Sequence, residues 1–137
     1  MESYKAQRRY LQLAVAIAGV VPVLAGLWGV VAGLGFPGDS IDSHHRYLSG
    51  LLLAIGLGFW WTVPDIQRQG AVFRLLTILV VFGGLARLGA ALAGGGGTGV
   101  YGPLIMELVV TPGLSLWRER VERMDPNAPP RYGGPWG

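Results

Sequence analysis

The longest uninterrupted apolar stretch of this chain lies close to its N-terminus. Between residues 11 and 35 there is no charged residue, and Gln12 is the only polar side chain. About 20 apolar residues, each adding 1.5 Å to a helix, cross a hydrocarbon core roughly 30 Å thick. The stretch is longer than the apolar region of a signal peptide, and no small-residue cleavage site separates it from a following domain. It therefore predicts a transmembrane helix.

Three more apolar segments follow, and only 14% of the residues are charged, against roughly 25% in an average soluble domain. Breaks rich in Pro, Gly and Asp separate the segments. We predict an all-α fold, an integral membrane four-helix bundle that forms one domain over residues 11–117. A basic lead-in (residues 1–10) precedes this domain, and a Pro/Gly-rich cytoplasmic tail (residues 118–137) follows it. The predicted spans are residues 11–35, 47–63, 72–93 and 100–117.

The distribution of Lys and Arg predicts the orientation of the bundle. The third connection has no cation, and the first has only Arg46, beside Asp39 and Asp42. Because cytoplasmic loops carry the excess of Lys and Arg, we expect both termini and the middle connection in the cytoplasm. The expected location is the inner (plasma) membrane. Eight other cations flank the cytoplasmic ends of the spans: Lys5, Arg8, Arg9, Arg68, Arg74, Arg118, Arg120 and Arg123.

Two ionisable residues lie inside predicted spans, Arg87 in span three and Glu107 in span four. A lone charge that faces lipid costs roughly 2.5–3.5 kcal/mol or more, so such residues usually face inward and pair. Both lie about 9–10 Å below the outer end of the bundle, and their short connection makes the two spans antiparallel neighbours. We therefore predict an Arg87–Glu107 ion pair in the outer half, sheltered from lipid, with Arg46 or a histidine nearby.

The start of span two adds polar residues at the same end of the bundle. We predict that at least one of them joins the ion pair in an outward-opening polar pocket. One interpretation is a binding site for an anionic or amphipathic ligand, with two arginines as the binding charges. The other is a structural ion-pair network that fixes the helix register. The candidate pocket residues are Asp42, His44, His45, Arg46, Arg87 and Glu107.

No resident cofactor is expected. His44 and His45 are the only histidines and are adjacent, whereas the two axial histidines of a haem come from opposite helices. One His with Asp42 and Glu107 has donor types that suit a transition metal, but the spacing matches no established ligand pattern. A pigment or a metal at His44 or His45 is the alternative. The chain has no Cys, which excludes disulfides, thiolate metal sites and Cys nucleophiles.

Small residues and one proline shape the predicted spans. Gly29 and Gly33 form a G-x-x-x-G motif, with Gly26 one turn earlier. Such a motif marks either a homodimer face or packing against another span of the same bundle, and we favour packing within the chain. Pro112 is expected to kink span four about one turn below Glu107. The tail after residue 123 is expected to have no fold of its own.

Three separated segments carry a resemblance to a known family. They are DSHHRYLSGLLLAIGLGFW, FRLLTILVVFGGLARLGAAL and MELVVTPGLSLW. Together they resemble the uncharacterised bacterial four-helix membrane family catalogued as domain of unknown function 4345, over about residues 11–117. The resemblance implies the fold and a shared polar site, and no activity. A more distant similarity to DoxX-like four-helix membrane proteins bears on architecture alone. The matching positions are Asp42, His44, Arg46, Gly50, Gly83, Gly84, Arg87, Glu107 and Pro112.

The function predicted first is that of a small accessory or scaffold subunit of a larger membrane complex, because the chain has almost no mass outside the spans. Its expected partners are the lipid bilayer and either other membrane protein subunits or a homo-oligomer. The alternative is binding or transport of a lipid-like or anionic small molecule in the polar pocket. No enzyme activity is expected, since no nucleophile or catalytic constellation is found. Nucleic acid is not expected as a partner either, since the cations flank apolar spans.

Overall fold

The computed structural model describes residues 2–35, 39–94, 99 and 101–128, and every regular element in these ranges is helical. The predicted all-α fold is confirmed. The helices are α1 (Glu2–Ala32), α2 (Ser40–Thr62), α3 (Gly70–Leu92), α4 (Tyr101–Ile105) and α5 (Thr111–Met124), with a 3₁₀ turn at Val63–Asp65 and a π-helical segment at Met106–Val110. The last three helical pieces, α4, the π-helical segment and α5, follow one another without a break, and we call them together the fourth helix.

Three helical stretches are long and apolar enough to cross a membrane: Ser3–Ala32, Ser40–Asp65 and Gly70–Leu92. They cover predicted span two and nearly all of predicted spans one and three, and they are the structural evidence that this is a membrane protein. The fourth helix differs because the π-helical segment divides it into α-helical pieces of 5 and 14 residues. The fourth span therefore stays a prediction.

The start of α1, the connection between α2 and α3, and α5 meet at one end of the bundle, which we call the base. The indole Nε1 of Trp117 donates a hydrogen bond to Gln7 Oε1 (2.8 Å), and Arg8 Nη2 donates to the Pro64 carbonyl (3.0 Å). At the opposite end, which we call the top, the N–H of Leu34 donates to Asp42 Oδ1. Both ends of the helical part of the chain thus lie at the base.

The hydrophobic core lies at the base and draws on all four helical segments. Phe59 of α2 and Phe73 of α3 pack edge to face, with ring centroids 5.0 Å apart. Gln12 Nε2 donates to the Val63 carbonyl (2.8 Å) and so holds the α2–α3 connection against α1. The core therefore joins the first two helices to the last two. Its buried members are Leu11, Val15, Phe59, Ile66, Phe73 and Val121.

Glycines let α1 and α2 pack closely over their whole length. A Cβ atom on Gly26 would lie 2.8 Å from the backbone carbonyl oxygen of Ser49 in α2, and Gly29 faces the Ser49 side chain. Gly33, which adopts a positive φ of 58° at the end of α1, faces the side chains of Asp42 and Arg46. The interpretation that the G-x-x-x-G motif packs within the chain is confirmed. This face of α1 is occupied by α2.

A π-helical segment interrupts the fourth helix directly before Thr111 and Pro112. Pro112 has no N–H to donate to the preceding turn, and the backbone N–H of Thr111 bonds instead to the Met106 carbonyl, five residues earlier. The Thr111 hydroxyl donates to the same carbonyl oxygen (2.8 Å). The sequence predicts a kink at Pro112. In the structure, the irregularity before Pro112 is a π-helical segment, and Glu107 lies within it. Such segments frequently occur at functional sites.

The α1–α2 hairpin and the hairpin of α3 with the fourth helix touch mainly at the base. In the part of the chain that the structure describes, α4 and the π-helical segment pack mainly against α3. Contacts between α2 and α3 lie low on both helices, where Leu76 packs against Gly58. Higher on α3, no described atom beyond the neighbouring backbone of α3 lies within 4 Å of a Cβ built on Gly83. The top of α3 is therefore open on this side.

The helix α5 continues beyond residue 117, the predicted end of span four. Arg118 and Val121 are buried because this last part of α5 packs on the base. The N–H of Asp125 closes the helix by donating to the Glu122 carbonyl (3.2 Å). The prediction that the tail has no fold of its own falls mostly on residues 129–137, which lie outside the described residues.

Candidate functional site

Arg87 and Glu107 form a two-point ion pair between α3 and the fourth helix. Arg87 Nε donates to Glu107 Oε2 and Arg87 Nη2 donates to Glu107 Oε1, both at 3.2 Å. Two parallel N–H···O bonds fix the direction of the guanidinium as well as its distance. The prediction that these two residues pair is confirmed.

Gly84 brings the two helices close enough for this pair to form. It is buried on α3, one turn below Arg87, and a Cβ atom there would lie 2.9 Å from Glu107 Cβ and from Leu108 Cδ2. Contacts that short are essentially never made by real Cβ atoms. The hydrogen at this position therefore lets the π-helical segment lie directly on α3.

The ion pair lies at the surface of the bundle and not inside it. The Arg87 side chain is 42% exposed and that of Glu107 is 18% exposed. Exposure of a side chain in the single chain is not the same as contact with lipid, so the expectation that the pair is sheltered from lipid stays a prediction. Arg87 is exposed because, among the described residues, α4 and the π-helical segment pack mainly against α3. The residues beside Arg87 are small and exposed: Gly83, Ala86 and Ala90.

Asp42 and Arg46 form a second pair that binds the end of α1. Arg46 Nε donates to Asp42 Oδ2 (2.8 Å), and Arg46 Nη1 donates to the carbonyl oxygens of Val30 (2.6 Å) and Val31 (3.2 Å). Asp42 is only 3% exposed and accepts the N–H of Leu34. The last carbonyls of a helix have no partner within it, and Arg46 supplies one here. This pair therefore fastens α1 to α2.

The two histidines lie on different sides of α2. His44 is exposed, whereas His45 is half-buried, with its Nε2 atom 3.4 Å from a Cβ built on Gly29. Among the described residues, no group of three His, Asp or Glu side chains is placed to hold a metal ion.

The six predicted pocket residues fall into separate groups. Asp42 and Arg46 meet at the end of α1, and Arg87 and Glu107 meet on the other hairpin. No hydrogen bond or ion pair joins these groups within the described ranges. One shared pocket stays a prediction.

Arg118 is a charged residue whose burial the sequence interpretation missed. It is 1% exposed, and its Nη2 atom donates to Glu122 Oε2 (2.8 Å), while Nε and Nη1 have no hydrogen-bond partner among the described residues. Its guanidinium lies against Gly70, the first residue of α3. The sequence carries one signal for the burial of Arg118. Arg118 lies three residues before the apolar Val121, a helical spacing that places both on the same face of α5. We had interpreted Arg118 only as a cation flanking a span.

Comparison with known proteins gives a family and no nearer relative. No curated protein and no solved structure matches the chain significantly. One family profile matches residues 10–118. This range covers most of the chain and includes the fourth helix up to the buried Arg118. The chain therefore belongs to the family described as Domain of unknown function (DUF4345).

Proposed function

We propose that this protein is a small accessory or scaffold subunit that associates with other polypeptides inside a membrane. The observation that carries the proposal is the exposed Arg87–Glu107 pair, on a helix apolar enough to cross the bilayer. The surface that we call the pair face consists of these two residues with Gly83, Ala86 and Ala90.

Lipid alone is a poor cover for the pair face. A charged group in the hydrocarbon region costs a few kcal/mol unless protein or water surrounds it. The ion pair lowers this cost but leaves the Arg87 side chain 42% exposed. A neighbouring polypeptide would exclude lipid and supply polar partners, and the small residues beside Arg87 allow its helix to come close.

We further propose that both ends of the chain lie in the cytoplasm of a cell whose inner membrane holds the bundle. This orientation rests on the Lys and Arg distribution, and it agrees with the meeting of α1 and α5 at the base. Reporter fusions at residue 137 and residue 98 should then report opposite sides, inner and outer. An outer report from residue 137 would reverse the orientation and place the pair face in the inner half.

Co-purification from the native membrane tests the proposed association. We compare the wild-type chain with Arg87→Leu/Glu107→Met, which makes the pair face apolar. The matched control is Arg74→Leu/Glu119→Met, because this pair is also exposed but lies at the base. Co-purifying polypeptides should disappear with the first variant and remain with the control. Equal recovery of the same polypeptides from all three proteins would refute the proposal.

A second candidate function is binding of a lipid-like or anionic small molecule at the top of the bundle. One observation favours it, namely the open side of α3 at Gly83 with Arg87 one turn above. Arg46 contributes less than the sequence predicted, because Asp42 and two backbone carbonyls already occupy its guanidinium. Lipid analysis of the same purified samples distinguishes the two functions. If the second function is correct, Arg87→Leu/Glu107→Met loses a bound amphiphile but no co-purifying polypeptide.

A further inference from the structure

We infer that the polypeptide covering the pair face is a second copy of this chain, with Glu107 of each copy placed at Arg87 of the other. This inference rests on the proposed function and names its partner. It begins with the charges on the face, which carries one positive and one negative group on adjacent helices.

Symmetry makes the pair face complementary to itself. Two copies with the same orientation in a membrane are related by a two-fold axis along the membrane normal, which keeps every residue at its own depth. In such an isologous interface, a contact of Arg87 with the partner's Glu107 occurs twice. The two ion pairs then form a ring of four alternating charges. A different protein would need its own opposite charges at this depth, whereas a second copy supplies them by construction.

The helix surface around Arg87 is shaped for close approach of another helix. Gly83, Arg87 and Ala90 are spaced by four and three residues, so they lie on one side of α3, with Ala86 at its edge. All four are exposed, and among the described residues no atom beyond the neighbouring backbone of α3 lies within 4 Å of a Cβ built on Gly83. Small residues at this spacing let transmembrane helices pack closely, which brings polar groups on both helices within hydrogen-bonding distance.

The other small-residue face of the chain is already filled. Gly26 and Gly29 on α1 face the backbone and side chain of Ser49 on α2, and Gly33 faces Asp42. The G-x-x-x-G motif is therefore used inside the first hairpin. The second hairpin carries the small-residue surface that stays open in the single chain.

Site-directed photo-crosslinking in the native membrane identifies what covers the pair face. Because the chain has no Cys, one introduced Cys gives one defined attachment point for a benzophenone maleimide. We place it at Gly83→Cys, Ala86→Cys or Ala90→Cys. The matched control is Leu27→Cys, which is 47% exposed near the top of α1, away from the pair face.

The crosslinked products separate this inference from the proposed function. A product of twice the chain mass that contains only this chain, formed at the pair face and not at Leu27→Cys, is the expected result. A product that contains a different polypeptide would overturn the inference and leave the proposed function in place. Absence of any product above the control at all three positions would overturn both.

A charge exchange tests the ring of charges itself. In Arg87→Glu/Glu107→Arg, two variant copies can still pair with each other, but a variant copy meets like charges on a wild-type copy. With differently tagged chains, recovery should be high for wild type with wild type and for variant with variant. It should fall to background for the mixed pair. Recovery of the mixed pair equal to that of the two matched pairs would contradict the inference. If the variant does not accumulate in the membrane, the photo-crosslinking experiment at the pair face tests the inference instead.

Discussion

At the base, six buried apolar side chains from all four helical segments meet in one core, whereas at the top each hairpin is fastened separately by its own ion pair. The Asp42–Arg46 pair holds α1 to α2, and the Arg87–Glu107 pair holds α3 to the fourth helix. Among the described residues, the base therefore supplies most of the contacts that join the two hairpins, and the top supplies few. We conclude that the stability of the single chain depends mainly on the base and that the top is available for association.

Phe73→Ala should have the largest effect, because it removes a fully buried ring at the centre of the base. Loss of a buried Phe costs about 3–5 kcal/mol, and here it also removes the edge-to-face contact with Phe59. Phe82→Ala on the same helix is the matched control, because Phe82 is 68% exposed and should change the free energy of unfolding by much less. Denaturant unfolding in lipid nanodiscs measures both. Equal losses would show that the base is not the stabilising core.

Glu107→Gln should rank second, because it leaves the Arg87 charge without its partner at membrane depth. The expected loss is about 2.5–3.5 kcal/mol in a bilayer, and it should be smaller in detergent, where water reaches the guanidinium. Arg87→Leu/Glu107→Met should recover much of the loss, since replacing both members of a buried pair is often neutral. Unfolding free energies of the two variants in nanodiscs test this. No recovery in the double variant would mean that the pair itself is needed for the fold.

Gly84→Ala should have an intermediate effect, because its methyl group would lie 2.9 Å from Glu107 Cβ. Forcing a methyl group into such a contact costs about 1–3 kcal/mol, and it should push the π-helical segment away from α3. Gly89→Ala on the same helix is the control, because Gly89 lies outside the pair face and no described atom beyond the neighbouring backbone of α3 lies within 4 Å of its Cβ position. The unfolding free energies of these two single-methyl variants should differ clearly. Similar values would mean that the second hairpin can separate without loss.

Arg118→Met should have the smallest effect and the opposite sign, because Nε and Nη1 of Arg118 are buried without a hydrogen-bond partner in the described part of the chain. Replacing the buried guanidinium with an apolar side chain of similar length should leave stability unchanged or raise it by about 1 kcal/mol. Glu122→Gln should instead lower stability, since it weakens the acceptor of Nη2. Unfolding midpoints measured under the same conditions check both signs. A large loss with Arg118→Met would indicate a partner of this side chain that the isolated chain lacks.

Several features could be predicted from the sequence because each had one physical solution. Arg87 and Glu107 are the opposite charges at one depth on adjacent spans, so their pairing followed from the cost of a lone charge. Pro112 marked the irregular part of the fourth helix because it lacks an N–H. The Asp42–Arg46 pair is spaced by four residues on α2, a spacing at which side chains meet, yet we placed both residues in a pocket.

Other features could not be predicted because apolar patterning does not distinguish lipid from protein contact. The spans are apolar on nearly every side, so nothing in their pattern showed which side of α3 would be covered by the other helices and which would be exposed. The exposure of Arg87 follows from that arrangement. The burial of Arg118 depends on how far α5 extends along the base, since a residue flanking a span and one packed under it have the same local sequence. These properties depend on tertiary geometry.

Native mass spectrometry of nanodiscs that contain wild type or Arg87→Leu/Glu107→Met tests the central claim most directly. The claim is that the base folds the chain and the pair face joins two copies. Wild type should appear as two copies of the 14.6 kDa chain. The variant should appear as one copy, with a free energy of unfolding within about 1 kcal/mol of wild type once the dimer contribution is removed. A variant that stays dimeric, or one that loses its fold together with the dimer, would contradict the account.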